Sequence, residues 1–311
     1  MIELIEYKHN LKSNWDELVL SSKNGTFLFL RDYMDYHSDR FYDNSYIVLR
    51  KGKIEGIIPG NINGKTFYSH QGITYGGLII SKNILVNDIL LIFDLLIKDL
   101  KNKNVNEIIW KPVPHIYHTM PSEEEVYALF RFGAEKIGCT ISSALYLNNK
   151  LNFSDSRSIG IKKAKKNGVV FFETKNYTQF WYILTENLEK KYGKKPVHNL
   201  YEITQLSLKF PENIKLYVAE KDRVIIGGVV MFLTKKVAHV QYIAANDVGK
   251  NLGALDLIFD HLINTVYKDF FIFDFGHSNE NMGKYLNENL IFQKEGFGGR
   301  GIVYEIYKIT I

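Results

Sequence analysis

The feature that most constrains this chain is an internal repeat. Residues 45–111 begin SYIVLRKGKIEGIIPGNINGKTFYSHQGITYGG, and residues 214–275 begin IKLYVAEKDRVIIGGVVMFLTKKVAHVQYIAAN. Each reads as a strand, a charged turn (RKGK or EKDR), a second apolar run, another turn (NGK or TKK), a third run and a loop with glycines. A helix follows, LIFDLLI in one copy and LIFDHLI in the other, and each copy closes on an apolar strand, EIIW or FIFDF. Three neighbouring strands joined by short turns predict an antiparallel meander. The helix must then cross over and lay the last strand parallel to the sheet. The order strand–strand–strand–helix–strand, met twice, predicts an α+β chain of two tandem domains. Each is expected to be a mixed, mostly antiparallel sheet flanked by helices.

Helical patterns precede each unit. Residues 12–22 and 178–191 each place a tryptophan, Trp15 or Trp181, early in an apolar face of helical period. Residues 199–209 give a second helix in the later half, and residues 121–133 begin with Pro121 and acids, as helix starts do. RSIGIKKAKKNG (157–168) reads as a short basic helix stopped by Gly168. It joins the halves, so the boundary is expected near residue 150, giving domains 1–150 and 151–311. With 311 residues, 46% of them hydrophobic, the chain can fill two cores.

Charge and cysteine use narrow the function classes. The net charge of +5 weakly favours anionic partners but does not argue for nucleic acid without a clustered basic face. Lys162, Lys163, Lys165 and Lys166 form the densest cluster, which a solvated helix face also explains. The single cysteine, Cys139, allows no internal disulfide and fits a reducing, cytoplasmic setting. The N-terminus, MIELIEYKHN, lacks the long uncharged core of a signal peptide, and ILLIFDLLI (89–97) is too short to span a bilayer. No metal spacing appears: His115 and His118 in HIYH are flanked by Pro112 and Pro114, which argue against a regular helix there.

The loop DVGKNLGALDLIF begins at Asp247 and carries Gly249, Lys250, Asn251 and Gly253 where a strand gives way to a helix. Unpaired backbone N–H groups at a helix start carry partial positive charge, and glycines let them approach an anion. This is a candidate pyrophosphate cradle, though glycines before helices are common. The element order around it resembles the GNAT superfamily of acyl-CoA transferases over most of residues 175–311. The resemblance implies acyl-CoA as co-substrate, acetyl-CoA or a short hydroxyacyl-CoA. Gly249, Lys250, Asn251 and Gly253 would then serve its phosphates, Gln241, Tyr242 and Ile243 its pantetheine arm, and Ala254 and Asn281 are further cofactor-binding candidates. The match to the Gln/Arg-x-x-Gly-x-Gly/Ala signature is imperfect, since Leu252 stands where a middle glycine belongs. The first copy has no comparable cradle and is expected to have lost cofactor binding.

A tandem pair of this kind resembles the FemAB-like branch. That branch includes aminoacyl transferases that build peptidoglycan bridges and N-acyltransferases that act on nucleotide-linked amino sugars. The closing run FDFGHSNENMGKYLNENLIFQKEGFGGRGIVYEIY is most similar to the sugar-acyltransferase side. The family's last helix often bears a tyrosine that protonates the leaving thiolate. Here Asn287 takes that place and Tyr285 lies two residues away, which puts a tyrosine acid in doubt. A CoA thiol needs little help, with a pKa near that of cysteine, about 8.5.

An amine that attacks a thioester must lose a proton, which calls for a base near neutrality. Asp274 and His277, at the end of the strand in FDFGHSNE, are the candidates. Asp274 could bind an acceptor ammonium, orient an imidazole or take the proton itself. Candidates for the acceptor are His198 and Glu202 at a helix start, His70 and Tyr75 in SHQGITYGG, and Ser278 and Glu280 beyond the strand. The expected acceptor is a dTDP- or UDP-linked amino sugar, with no nucleic acid and no membrane span. The oligomeric state is open, a homodimer being one option. The alternatives are an aminoacyl-tRNA-dependent peptidoglycan transferase of the FemAB type and a non-catalytic tandem scaffold.

Overall fold

A computed structural model describes all 311 residues. The chain forms two compact units. Unit 1 comprises Met1–Thr140, Asn279–Tyr285 and Val303–Ile311; unit 2 comprises Ile141–Ser278 and Leu286–Ile302. The first crossing thus precedes the boundary expected near 150, and the segments after Ser278 are shared between the units.

In unit 1, strands β1 (Ile2–Glu6), β2 (Tyr46–Arg50), β3 (Lys53–Ile58) and β6 (Ile79–Ile80) pair antiparallel in the order β1-β2-β3-β6. The turn from β2 to β3 places Lys51 and Gly52 at φ 51° and 75°, the pair of left-handed residues that a twisted two-residue hairpin requires. The third run departs from the expected meander. It forms a hairpin of β4 (Asn61–Asn63) and β5 (Thr66–Tyr68), and β5 pairs parallel with β7 (Glu107–Trp110) instead of continuing beside β3. Two local causes are visible. Pro59 cannot extend the β3 ladder, and Gly60 packs so closely on the Phe67 ring that a Cβ there would lie 2.2 Å from it. The buried Asn61 then ties the hairpin down, its amide donating to Gln71 Oε1 at 2.7 Å and its carbonyl accepting the Gln71 N–H at 2.9 Å.

The helices of unit 1 are α1 (Lys12–Ser21), α2 (Arg31–Met34), α3 (Val86–Asn102) and α4 (Glu124–Arg131). Phe93, Leu96 and Leu100 of α3 pack with Val48, Ile58, Ile108 and Trp110 to form its core. Residues 307–310 of the last strand, β16 (Arg300–Thr310), pair antiparallel with β7.

Unit 2 follows the sequence pattern closely. Strands β10 (Ile214–Lys221), β11 (Val224–Leu233) and β12 (Val237–Ala245) form the antiparallel meander. Asp222 and Arg223 at φ 52° and 65° repeat the hairpin device of unit 1. β11 reads as one apolar run because eight successive residues, Ile226–Leu233, are buried on both faces. β9 (Val170–Thr174) pairs with β10, and β13 (Ile272–His277) lies parallel to β12 and antiparallel to the 142–146 part of β8 (Glu135–Tyr146).

Helices α5 (Asp155–Lys166), α6 (Thr178–Tyr192), α7 (Leu200–Lys209), α8 (Asp247–Leu252), α9 (Ala254–His261) and α10 (Glu288–Gly296) complete unit 2. The short strands β14 (Asn279–Glu280) and β15 (Tyr285–Leu286) pair with each other. Leu257, Ile258 and Phe259 of α9 pack with Phe273, Phe275 and Phe297 to form the core. No helix is long and apolar enough to cross a membrane.

Candidate active site

The site begins where the sheet of unit 2 opens. β12 and β13 pair through three residues only, Val237 with Ile272, Ala238 with Phe273 and His239 with Asp274. On its other side β13 pairs with β8 as far as Asp274 and Ala144, slips register, and resumes at His277 and Ser142. The slip is a bulge built on Gly276, whose φ of 73° favours glycine. The central strands therefore part just beyond His239 and Asp274.

Asp274 has no exposed surface. A carboxylate so placed must be matched by donors, and three surround it. Ser142 Oγ donates to Oδ1, the Gly276 N–H donates to Oδ1 at 3.1 Å, and His239 Nδ1 lies 2.8 Å from Oδ2. A carboxylate facing Nδ1 selects the tautomer with the proton there, so the lone pair sits on Nε2. The His239 side chain is 12% exposed, so the ring reaches solvent where its carboxylate does not. Of the three roles expected for Asp274, its full burial and its contact with His239 Nδ1 are the geometry that orienting an imidazole would use.

His277 is exposed at the end of β13. Burial, and then the charges of His239 and Lys294, hold its pKa down to about 4. The residue is nevertheless exposed, so water moderates that depression, and the value alone does not remove His277 as a base beside His239. Lys294 of α10 is 5% exposed, and its ammonium donates to the carbonyls of Gly276 and His277 at 2.8 and 2.9 Å. Burial lowers its pKa to about 8. Ser278 is buried, and its hydroxyl has no hydrogen-bond partner.

The candidate cofactor residues divide. Gln241 and Ile243 are half-buried on β12 beyond the last pairing with β13, so this part of the strand borders the opening. Tyr242 points to the other face, where its hydroxyl lies 2.6 Å from His198 Nδ1 and Trp181 packs against its ring. Asn246 caps α8 by accepting the Gly249 N–H at 2.8 Å. Gly249 has a packing reason of its own: a Cβ there would lie 2.1 Å from the Ile226 carbonyl oxygen. Gly253, at φ 76°, is pressed against α5, where a Cβ would come within 2.5 Å of the Gly160 oxygen. Lys250 is exposed and 3.0 Å from Asp247, Asn251 is exposed, and Ala254 is fully buried. Both glycines are thus explained by close packing of the chain on itself, and only Lys250 and Asn251 face outward. Asn281, at φ 50°, lies in the segment that belongs to unit 1.

The candidate acceptor residues are mostly structural. His198 and Glu202 do not share a helix face, because His198 precedes the cap residue Asn199 and is buried. Glu202 and Asn199 form a reciprocal capping box, each side chain accepting the other's N–H at 2.9 and 2.8 Å. Tyr75 is 3% exposed among Phe29 and Tyr117, with its hydroxyl on Thr26, so it does not line an open surface. His70 is also buried, at φ 69°, and accepts the Gly72 N–H. Glu280 is half-buried in unit 1. Asn287 is the cap of α10, bonding the Leu290 N–H and donating to the Tyr192 hydroxyl at 3.0 Å, while Tyr285 is exposed in β15.

Sequence reasoning missed His239, Ser142 and Lys294. His239 left one usable signal, a lone imidazole in the otherwise apolar start of a strand, VAHVQYIAA. Its meeting with Asp274 depends on parallel register across 35 positions. Ser142 and Lys294 left none, since a serine and a helical lysine are ordinary surface residues.

No protein-family model matches the chain, and no curated protein matches it. Solved structures do. A crystal structure of FemX is 10% identical, with a TM-score of 0.68 over 99% of this chain and 97% of that one. L-PGS from Bacillus licheniformis is 11% identical, with a TM-score of 0.56 over 85% and 83%. A tandem GNAT protein from the clavulanic acid biosynthesis pathway is 10% identical, with a TM-score of 0.50 over 100% and 98%. Likeness at such low identity speaks to fold, and in that respect it agrees with the element order and sheet pairing: the chain is an α+β protein with two tandem GNAT-like domains.

Proposed function

We propose that the chain is an N-acyltransferase in which His239, held by Asp274, is the base that accepts the proton of the attacking amine. The observation that carries this is the His239–Asp274 pair, 2.8 Å apart and standing where β12 and β13 part. The amine nitrogen bonds to the acyl carbon, the bond from that carbon to its leaving group breaks, and the amine proton passes to His239 Nε2. The imidazolium that forms is stabilised by the buried carboxylate and can return its proton to the leaving group. On the side from which β13 has parted, β12 at Gln241 and Ile243 has no strand partner, and that edge is available to hold an extended donor and to meet the developing oxyanion.

For the donor and acceptor we favour acyl-CoA and a dTDP- or UDP-linked amino sugar, cytoplasmic partners that suit a chain of net charge +5. Unit 1 would bind no cofactor. Lys250 and Asn251 would meet the donor's phosphates. A second reading is an aminoacyl ester of tRNA as donor: Gly249 and Gly253 are engaged in packing and so give the CoA donor no support of their own. Titration calorimetry with acetyl-CoA separates the two. Binding that weakens at least tenfold in Lys250→Glu supports the CoA donor. No heat with acetyl-CoA, together with transfer from a charged tRNA, would replace it with the ester.

A further inference from the structure

We infer that Lys294 is a positioning residue for the His239–Asp274 pair, acting through the bulge at Gly276 and His277. This rests on the reading of His239 as the base. A lysine in the last turn of a short helix ordinarily extends into water. Here its side chain turns inward until the residue is 5% exposed, and its ammonium meets two consecutive carbonyls, Gly276 at 2.8 Å and His277 at 2.9 Å. Those carbonyls lie at the bulge, where β13 slips in its ladder with β8 and resumes at His277; the buried Gly276 carbonyl falls inside the slip and takes its donor from Lys294. Burying an ammonium is costly unless it is well matched. An apolar residue would fill the same space but leave the buried Gly276 carbonyl without this donor.

The clamped turn touches both members of the pair. The Gly276 N–H donates to Asp274 Oδ1 at 3.1 Å. The Gly276 Cα stands over the imidazole, so that a Cβ there would lie 3.3 Å from His239 Cε1 and 3.4 Å from the Val240 oxygen. Release of the turn therefore loosens one of the donors that hold the carboxylate and one wall against the ring. Lys294 also brings a positive charge near Asp274 and His277, in a place where water screens it little.

The test uses the full chain with Lys294→Met and Lys294→Gln. Met keeps the volume and removes both donors; Gln keeps one amide donor. Nitrogen-15 histidine spectra of the unliganded protein report the tautomer of His239 directly. The wild type is expected to show the proton on Nδ1. Lys294→Met is expected to show mixed tautomers and a kcat at least tenfold lower with KM little changed, and Lys294→Gln to recover part of both. Folding is checked by thermal melting. A folded Lys294→Met with the wild-type His239 signal and unchanged kcat would overturn the inference, even if His239→Gln is inactive. An active His239→Gln would instead sink the base assignment beneath it. If Lys294→Met fails to fold, Lys294→Gln carries the test by the same signal and kcat.

Discussion

An imidazole bonded through Nδ1 to a carboxylate that water does not reach is committed to one tautomer, and its chemistry falls to Nε2. Two substitutions test that division of labour. His239→Gln is expected to slow amide formation by about 10²–10⁴-fold, the usual worth of a positioned base. Asp274→Asn should do comparable damage by another route. Its amide would donate toward Nδ1 and reverse the tautomer, so the loss should appear in kcat with substrate binding little altered. A histidine spectrum unchanged in Asp274→Asn would contradict the pairing. Of this site, Asp274 was legible in the sequence because an acid stands out in the apolar strand IFDF. His239 was not, because its partner lies in another strand and only sheet register brings them together. Asp274 and His277 could not be separated as bases in the sequence, because residue type carries no information on the neighbours each one meets in the fold.

At the scale of elements, the two hairpins show how far local sequence specifies structure. RKGK and EKDR both turn through two left-handed residues, and only the first uses a glycine. Arg223 bears the strain that Gly52 avoids, roughly 1 kcal/mol for a non-glycine residue held there. Replacing Asp222-Arg223 with Asn-Gly is therefore expected to raise unfolding stability by about 0.5–1 kcal/mol, read from urea melts. A loss would mean that Arg223 makes a contact of greater worth. Gly253→Ala should do the reverse and cost about 2 kcal/mol or more, since it meets both the left-handed φ and the Gly160 oxygen. The meander of unit 2 was legible because its alternation and turns are local. The hairpin of unit 1 was not, because its strands are three residues long and Pro59, Gly60 and the buried Asn61 redirect them. The glycines of α8 suggested an anion cradle for the same reason: sequence shows where a Cβ is missing but not which neighbour fills the space.

Across the whole molecule, buried titratable groups set the response to acid. His37, His70 and His118 are buried in unit 1, and burial holds them neutral, His37 and His118 down to about 4 and His70 well below its usual value. The unfolded chain takes up their protons near 6.5, so it binds more protons than the fold between about 6.5 and 4, and stability falls with pH through that window. Glu125 opposes this. Burial raises it to about 7, so its contribution grows as pH falls from 7 toward 4.5. Asp256, raised by burial, acts in the same sense as Glu125 at lower pH; the three imidazoles outweigh these carboxyls and predict a urea midpoint that drops between pH 6.5 and 5, and a flat or rising midpoint would contradict the buried neutral state. Domain count was legible from the repeat, but the division of residues after Ser278 was not, because short segments of one strand sequence serve different units. Catalysis itself is tested most directly by one comparison. Amide formation is measured by mass spectrometry with wild-type protein and His239→Gln side by side, each with acetyl-CoA or charged tRNA as donor and UDP- and dTDP-linked amino sugars among the amine acceptors. Wild-type protein is expected to yield product with one donor class, and His239→Gln, melting at the same temperature, at least a hundredfold less. Equal rates from the two proteins, or no product from wild type with either donor, would contradict the assignment of an acyl-transfer base at His239.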